Sequence, residues 1–159
     1  MDPRVHEYET QYGRRLLGKL GFGPGQDGFV MRSDRLTAVK FFDRSERFHR
    51  ELEVYQILQS KGINHIAGHN VPELIDANSR LRTIEMTIVE RPFILDFAGA
   101  RRPEEVPEFE EHVLQEHLER LQKLFGERCI EAIHVAEMFR LQTGFVLLDL
   151  HPGNIAFVE

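Results

Sequence analysis

Near the end of the chain, Leu148-Asp149-Leu150-His151-Pro152-Gly153-Asn154-Ile155 sets an asparagine five positions after an aspartate, with Pro-Gly between them. An aspartate in such a loop can accept a proton from an attacking hydroxyl, and an asparagine at that spacing can bind magnesium, which is the chemistry of phosphoryl transfer. The same letters also describe an Asx-type turn leading into the apolar run 155–158.

Three earlier pieces bear on that choice. Gly23-Pro24-Gly25-Gln26-Asp27-Gly28-Phe29-Val30 matches GxGxxGxV. Glycines in a strand-turn-strand let the backbone approach phosphates and aim amides at anionic oxygens, although a plain glycine-rich hairpin asks for the same residues. A dinucleotide-binding βαβ unit is disfavoured, because a strand rather than a helix follows. Ala38-Val39-Lys40 sets a lysine in an apolar strand, where it either points to solvent or is held by a carboxylate while contacting phosphate. Glu51 lies three residues after Phe48 and four before Tyr55, inside an apolar helical stripe. A carboxylate on a buried face needs a cation, and Lys40 is the nearest candidate; at the edge of the stripe Glu51 would sit in water.

The elements that must position these groups can be read from periodicity. Residues 4–12 suit a short polar helix, and 16–22, 28–31 and 36–42 read as three antiparallel strands with a turn at Ser33-Asp34. Phe48, Leu52, Tyr55 and Leu58 mark an amphipathic helix stopped by Gly62. Residues 73–77 and 81–89 suggest a hairpin across Asn78-Ser79, with Ile84, Met86 and Ile88 alternating against Glu85 and Thr87 as in a half-buried strand. Beyond Pro92 the pattern turns helical: Phe109, Val113, Leu114, Leu118, Leu121 and Phe125 form one stripe. Cys129, Ile130, Ile133, Ala136 and Phe139 form another, ended by Gly144. Five strands with one inserted helix, then helices, then the closing loop and strand make an α+β chain.

Taken together, these motifs resemble the protein-kinase-like superfamily. DLHPGN looks most like the loops of its aminoglycoside-phosphotransferase and small-molecule-kinase branches, and the chain as a whole resembles short bacterial kinase-like domains of the polyvalent-protein type. The resemblance implies a single kinase-like domain over 1–159: a five-stranded antiparallel N-lobe with one αC-like helix at about 13–90, and a truncated helical C-lobe at 91–159 that ends after the catalytic loop. Gly23, Gly25 and Gly28 would cover the phosphates of ATP, with Val30 beside them. Lys40 would reach those phosphates and pair with Glu51, and Ile88, Val89 and Glu90 would form the hinge against adenine. Asp149 would be the catalytic base and Asn154 a ligand of Mg2+.

Two departures stand out. Leu147 replaces the usual histidine two residues before the catalytic aspartate. The metal-binding aspartate of the DFG motif, expected about a dozen residues past the asparagine, has no counterpart there. Two carboxylates are candidates to replace it, Glu159 and Asp96; Glu159 ends the last strand, at a short spacing. Asp96-Phe97-Ala98-Gly99 spells nearly DFG but precedes the loop, where it reads as a coincidence of letters, with Asp96 a polar contact at the cleft mouth. His65 and His69 have helical i, i+4 spacing but sit among loop residues without a third ligand, and His151 braces the catalytic loop.

Composition narrows the field further. With 42% hydrophobic and 29% charged residues the chain reads as an ordinary soluble globular protein. A net charge of −6 argues against nucleic-acid binding through bulk positive charge. The single Cys129 cannot form an internal disulfide, and neither an apolar signal core nor a membrane-length span is present, so a cytoplasmic protein is expected. Two functions follow from the resemblance: an ATP- and magnesium-dependent phosphotransferase acting on a hydroxyl of a protein or small molecule, or a nucleotide-binding pseudokinase acting as an interaction module. In either case an apolar face would be left for a homodimer or a partner chain to cover.

Overall fold

The computed structural model describes residues 1–21 and 27–159. Gly23 and Gly25, expected over the phosphates, lie outside the described residues. In chain order the elements are α1 (Pro3–Tyr12), β1 (Leu16–Gly21), β2 (Phe29–Ser33), β3 (Thr37–Phe41), α2 (Ser45–Ser60), β4 (His65–Ile66), β5 (His69–Asn70), β6 (Leu74–Asn78), β7 (Thr83–Thr87), β8 (Phe93–Ile94), β9 (Ala100–Arg101), α3 (Glu111–Phe125), α4 (Cys129–Thr143), β10 (Val146–Leu147) and β11 (Ile155–Ala156). The architecture is α+β. A five-stranded antiparallel sheet in the order β1-β2-β3-β7-β6 precedes the helical half.

Strand periodicity divides β3 between two cores. Ala38 faces α2 and joins Phe48, Val54, Tyr55, Leu58, Ile84 and Met86 in the larger core, and Lys40, two residues on, shares that face. Val39 and Phe41 face the other way, onto Val5 and Tyr8 of α1. Both faces of the sheet are therefore covered. This corrects the reading of β7 as half-buried: Thr83, Ile84, Glu85 and Met86 are all buried. Glu85 tolerates burial because it is fully partnered, accepting hydrogen bonds from Tyr8 Oη at 3.2 Å and Thr37 Oγ1 at 2.7 Å and pairing with the Arg14 guanidinium.

In α2 the buried positions are Phe48, Glu51, Val54, Tyr55 and Leu58, while Leu52 is half-buried. The inward stripe thus runs through Glu51 rather than Leu52, and the helix must bury a carboxylate. The second half is more open than its apolar pattern suggests. α4 buries Cys129, Ala132, Val135 and Phe139, but α3 buries only Leu121 and leaves Leu114 and Leu118 exposed. Gly144 ends α4 in the left-handed conformation, where its N–H donates to the Arg140 carbonyl at 2.8 Å. Among the described residues no helix is long and apolar enough to cross a membrane.

Gly28 is the one described glycine of the GxGxxG pattern. Its φ is +86°, its N–H donates to Asp43 Oδ2 at 3.1 Å, and an added Cβ would lie 1.7 Å from the Phe41 carbonyl oxygen. Gly62 has a similar φ of +65° but open space around it. Gly28→Ala is expected to lose about 3 kcal/mol or more in urea unfolding, from left-handed strain plus a backbone clash, and Gly62→Ala only about 1–2 kcal/mol.

Candidate active site

The cleft is built outward from β3. Lys40 stands between Val30 on β2 and Ile84 on β7 in the strand register. Its Nζ donates to Glu51 Oε2 at 2.7 Å and lies 4.9 Å from the centre of the Phe42 ring. The strand lysine and the helix glutamate, whose solvent-facing alternatives the sequence left open, therefore meet as an ion pair. Glu51 is 1% exposed, so this pair is largely shielded from water.

A second carboxylate reaches the same ammonium. Asp96 Oδ1 accepts from Lys40 Nζ at 2.9 Å, so the polar contact expected of Asp96 at the cleft is an ion pair with the lysine. Burial by itself would lower the Lys40 pKa, but Glu51 and Asp96 outweigh it and raise the value above the ordinary lysine range. Burial would raise the Asp96 pKa, and Lys40 more than offsets that, so the carboxyl is held below its ordinary range. The residue after Asp96 fixes its place. Phe97 is fully buried, stacks on Phe139 with centroids 5.2 Å apart, and meets Tyr55 edge-on.

The loop 148–154 closes the other side. Asn154 is 5% exposed and uses both ends of its amide within the loop: Nδ2 donates to the Asp149 carbonyl at 2.6 Å, and Oδ1 accepts from the His151 N–H at 3.0 Å. Gly153 N–H donates to His151 Nδ1 at 3.0 Å, which gives His151 the bracing role expected from its position. With its backbone pinned, Asp149 directs an exposed carboxylate toward the cleft that Arg47, Asp96 and Asn154 also line. Arg120 on α3 approaches Asp149 Oδ1 at 3.5 Å. Arg120 and Arg47 went unnoticed in the sequence. Arg47 has a retrospective signal, because it stands one turn before Glu51 on the same helix face.

The expected hinge residues Ile88, Val89 and Glu90 follow β7, and Ile88 is exposed while the Glu90 carbonyl accepts from Asn70 Nδ2 at 3.0 Å. His65 and His69 form the two ends of the small β4–β5 hairpin, and His69 Nδ1 lies 3.1 Å from the Ala67 carbonyl. A larger cavity lies against α2 and β6, lined by Tyr55, Leu58, Ile63 and Leu74. Its single charged group is Glu73, whereas the cleft beside the 148–154 loop brings together Arg47, Asp96 and Asp149.

No protein-family model matches the chain. No curated protein matches it either. Two solved structures align with it: the streptomycin–ATP–APH(2'')-IIa ternary complex, and the aminoglycoside phosphotransferase APH(2'')-Ib with ADP bound. Each has a TM-score of 0.42 and 17% sequence identity over 79% of this chain. The chain spans 40% of the length of either protein.

Because Asn154 ties the backbone of its loop at two points, Asn154→Ala leaves the part-buried His151 N–H and Asp149 carbonyl without these partners. The variant is expected to lose about 2–4 kcal/mol of stability in urea unfolding, at about 1–2 kcal/mol per unpaired group. A loss below about 1 kcal/mol would show that the loop holds its shape without the amide.

Proposed function

We propose that the chain is an ATP-dependent phosphotransferase that moves the γ-phosphate to a hydroxyl acceptor. The observation that carries this reading is that Asp96, ion-paired with Lys40 beside Glu51, lines one cleft with Asp149 and Asn154 of the 148–154 loop. Residues 13–90 act as the nucleotide lobe and 91–159 supply the catalytic loop.

Each residue has a role that its surroundings suit. Lys40 is held charged by carboxylates, so it can bind phosphate oxygens and stabilise charge that develops on them. Glu51 is buried against it and sets the direction of its ammonium. Gly28 holds the start of β2 close to β3, with Val30 beside Lys40 as one wall for the nucleotide, and the backbone of Ile88, Val89 and Glu90 offers hydrogen bonds to adenine. Asp149 accepts the proton of the acceptor hydroxyl; its exposure leaves room for that group to approach. The oxygen-donor character of Asn154 and the neighbouring carboxylate fits magnesium, which binds through one or two carboxylates plus substrate phosphates. When bound, it neutralises charge on the transferring phosphoryl group.

A second reading has its own support. Arg120 lies against the Asp149 carboxylate, and α3 exposes Leu114 and Leu118, features that also suit a nucleotide-binding module whose helical face engages another protein.

Calorimetric titration of ATP with magnesium is expected to show saturable binding that Lys40→Ala weakens by about tenfold or more, as loss of a charge-assisted contact would. Asp149→Asn is expected to retain ATP binding while slowing γ-phosphate release by about 10²–10⁴-fold, the usual contribution of a general base. Absence of ATP binding to the wild type would overturn both readings. Turnover unchanged by Asp149→Asn, or absent from the wild type, would leave only the second.

A further inference from the structure

Residues 93–101 bracket the catalytic loop from both sides. β8 pairs with β11 just after the loop, Ile94 opposite Ile155 and Phe93 opposite Ala156. β9 pairs with β10 just before it, Ala100 opposite Leu147 and Arg101 opposite Val146. Two arches, 95–99 and 148–154, are thereby set against each other. They are stitched together where the Leu95 N–H donates to the Asn154 carbonyl at 2.9 Å. Antiparallel pairing at both ends leaves little freedom of register, so the position of Asp96 relative to Asn154 is determined by backbone.

The arch is shaped to present that one side chain. Asp96 adopts φ +69°, a conformation costly for most residues and least so for Asp and Asn. Phe97 and Ala98 beyond it are buried and do the packing. The Asp96 carboxylate is 34% exposed and projects into the cleft, whereas that of Glu51, on the same lysine, is 1% exposed. Glu51 pairs with Lys40 from the buried side, so Asp96 is the accessible one of the two carboxylates on this lysine. Asn154 Oδ1 uses one lone pair on the His151 N–H and keeps the other.

We infer that Asp96 is the magnesium-binding carboxylate of this cleft, delivered by an arch that precedes the catalytic loop in sequence and faces it in space. The inference rests on the phosphotransferase reading and extends it by naming a ligand. The stretch Asp96-Phe97-Ala98-Gly99 precedes the loop in the chain and meets it through paired strands. A carboxylate oxygen, an amide oxygen and nucleotide phosphates form the hard, partly hydrated donor set that magnesium prefers. Were phosphate to engage Lys40, Asp96 would be free to hold the metal.

The test uses ADP and avoids turnover altogether. Calorimetry on the wild type is expected to show ADP affinity rising at least about tenfold when magnesium is added. In Asp96→Asn that gain is expected to vanish, with metal-free ADP affinity equal to wild type or higher because Lys40 has lost a competitor. A variant that keeps the magnesium gain would overturn the assignment and leave the nucleotide site standing, as would a wild type whose ADP binding ignores magnesium. A wild type that binds no ADP would overturn this inference together with the phosphotransferase reading. A measurement on the wild type guards against a variant that does not fold: Mn2+ with ADP is expected to broaden the amide resonances of Asp96 and Asn154 selectively. An Asp96 signal left sharp while ADP is bound would count against the assignment.

Discussion

The ammonium of Lys40 is the point on which the two halves of this protein agree. It lies on the inner face of β3, takes Glu51 from a helix inserted between strands, and takes Asp96 from the arch that follows β8. Burying a carboxylate on α2 is expensive without a cation, and removing the lysine would leave Glu51 unpaired at a cost of about 3–5 kcal/mol. The pair therefore locks the angle at which α2 crosses the sheet. The same lysine anchors the arch that meets the 148–154 loop, so its position affects the packing of the second half as well.

Around that point the fold is built in layers that each constrain one functional group. α1 seals the outer face of the sheet, which leaves the inner face of β3 to carry Lys40. Phe97, wedged between Tyr55 and Phe139, converts packing in the core into the placement of Asp96. The buried Asn154 amide holds Asp149 by its carbonyl, so this carboxylate can be exposed without being loose. Each functional side chain is thus set by a buried neighbour one or a few residues away, and this lets a small fold orient polar groups from distant parts of the chain.

How legible was this in the sequence? Elements with strong local signals were readable: the short first helix, the three opening strands, α2 stopped near Gly62, and α4 ended by Gly144. The meeting of Lys40 with Glu51 was readable as one of two alternatives, because a glutamate inside an apolar stripe asks for a cation. What escaped depends on contacts far apart in the chain. Glu85 looked solvent-facing in an alternating strand, and only the packing of α1 turned it into a buried hub. Asp96 looked misplaced because linear order was taken for spatial order. The two-residue strands that bring it back to the loop are too short to leave a periodic trace. Arg120 touches Asp149 across tertiary space and carries no local signal at all.

The central claim is that groups scattered over three regions of the sequence form one site for metal and nucleotide phosphate. A crystal structure with ADP and Mn2+, in which anomalous scattering locates the metal directly, tests it most plainly. The account predicts a metal peak within bonding distance of Asp96 and Asn154 oxygens, with the diphosphate reaching Lys40. A nucleotide seated outside the cleft, or a metal bound away from Asp96 while Lys40 holds the phosphates, would contradict it.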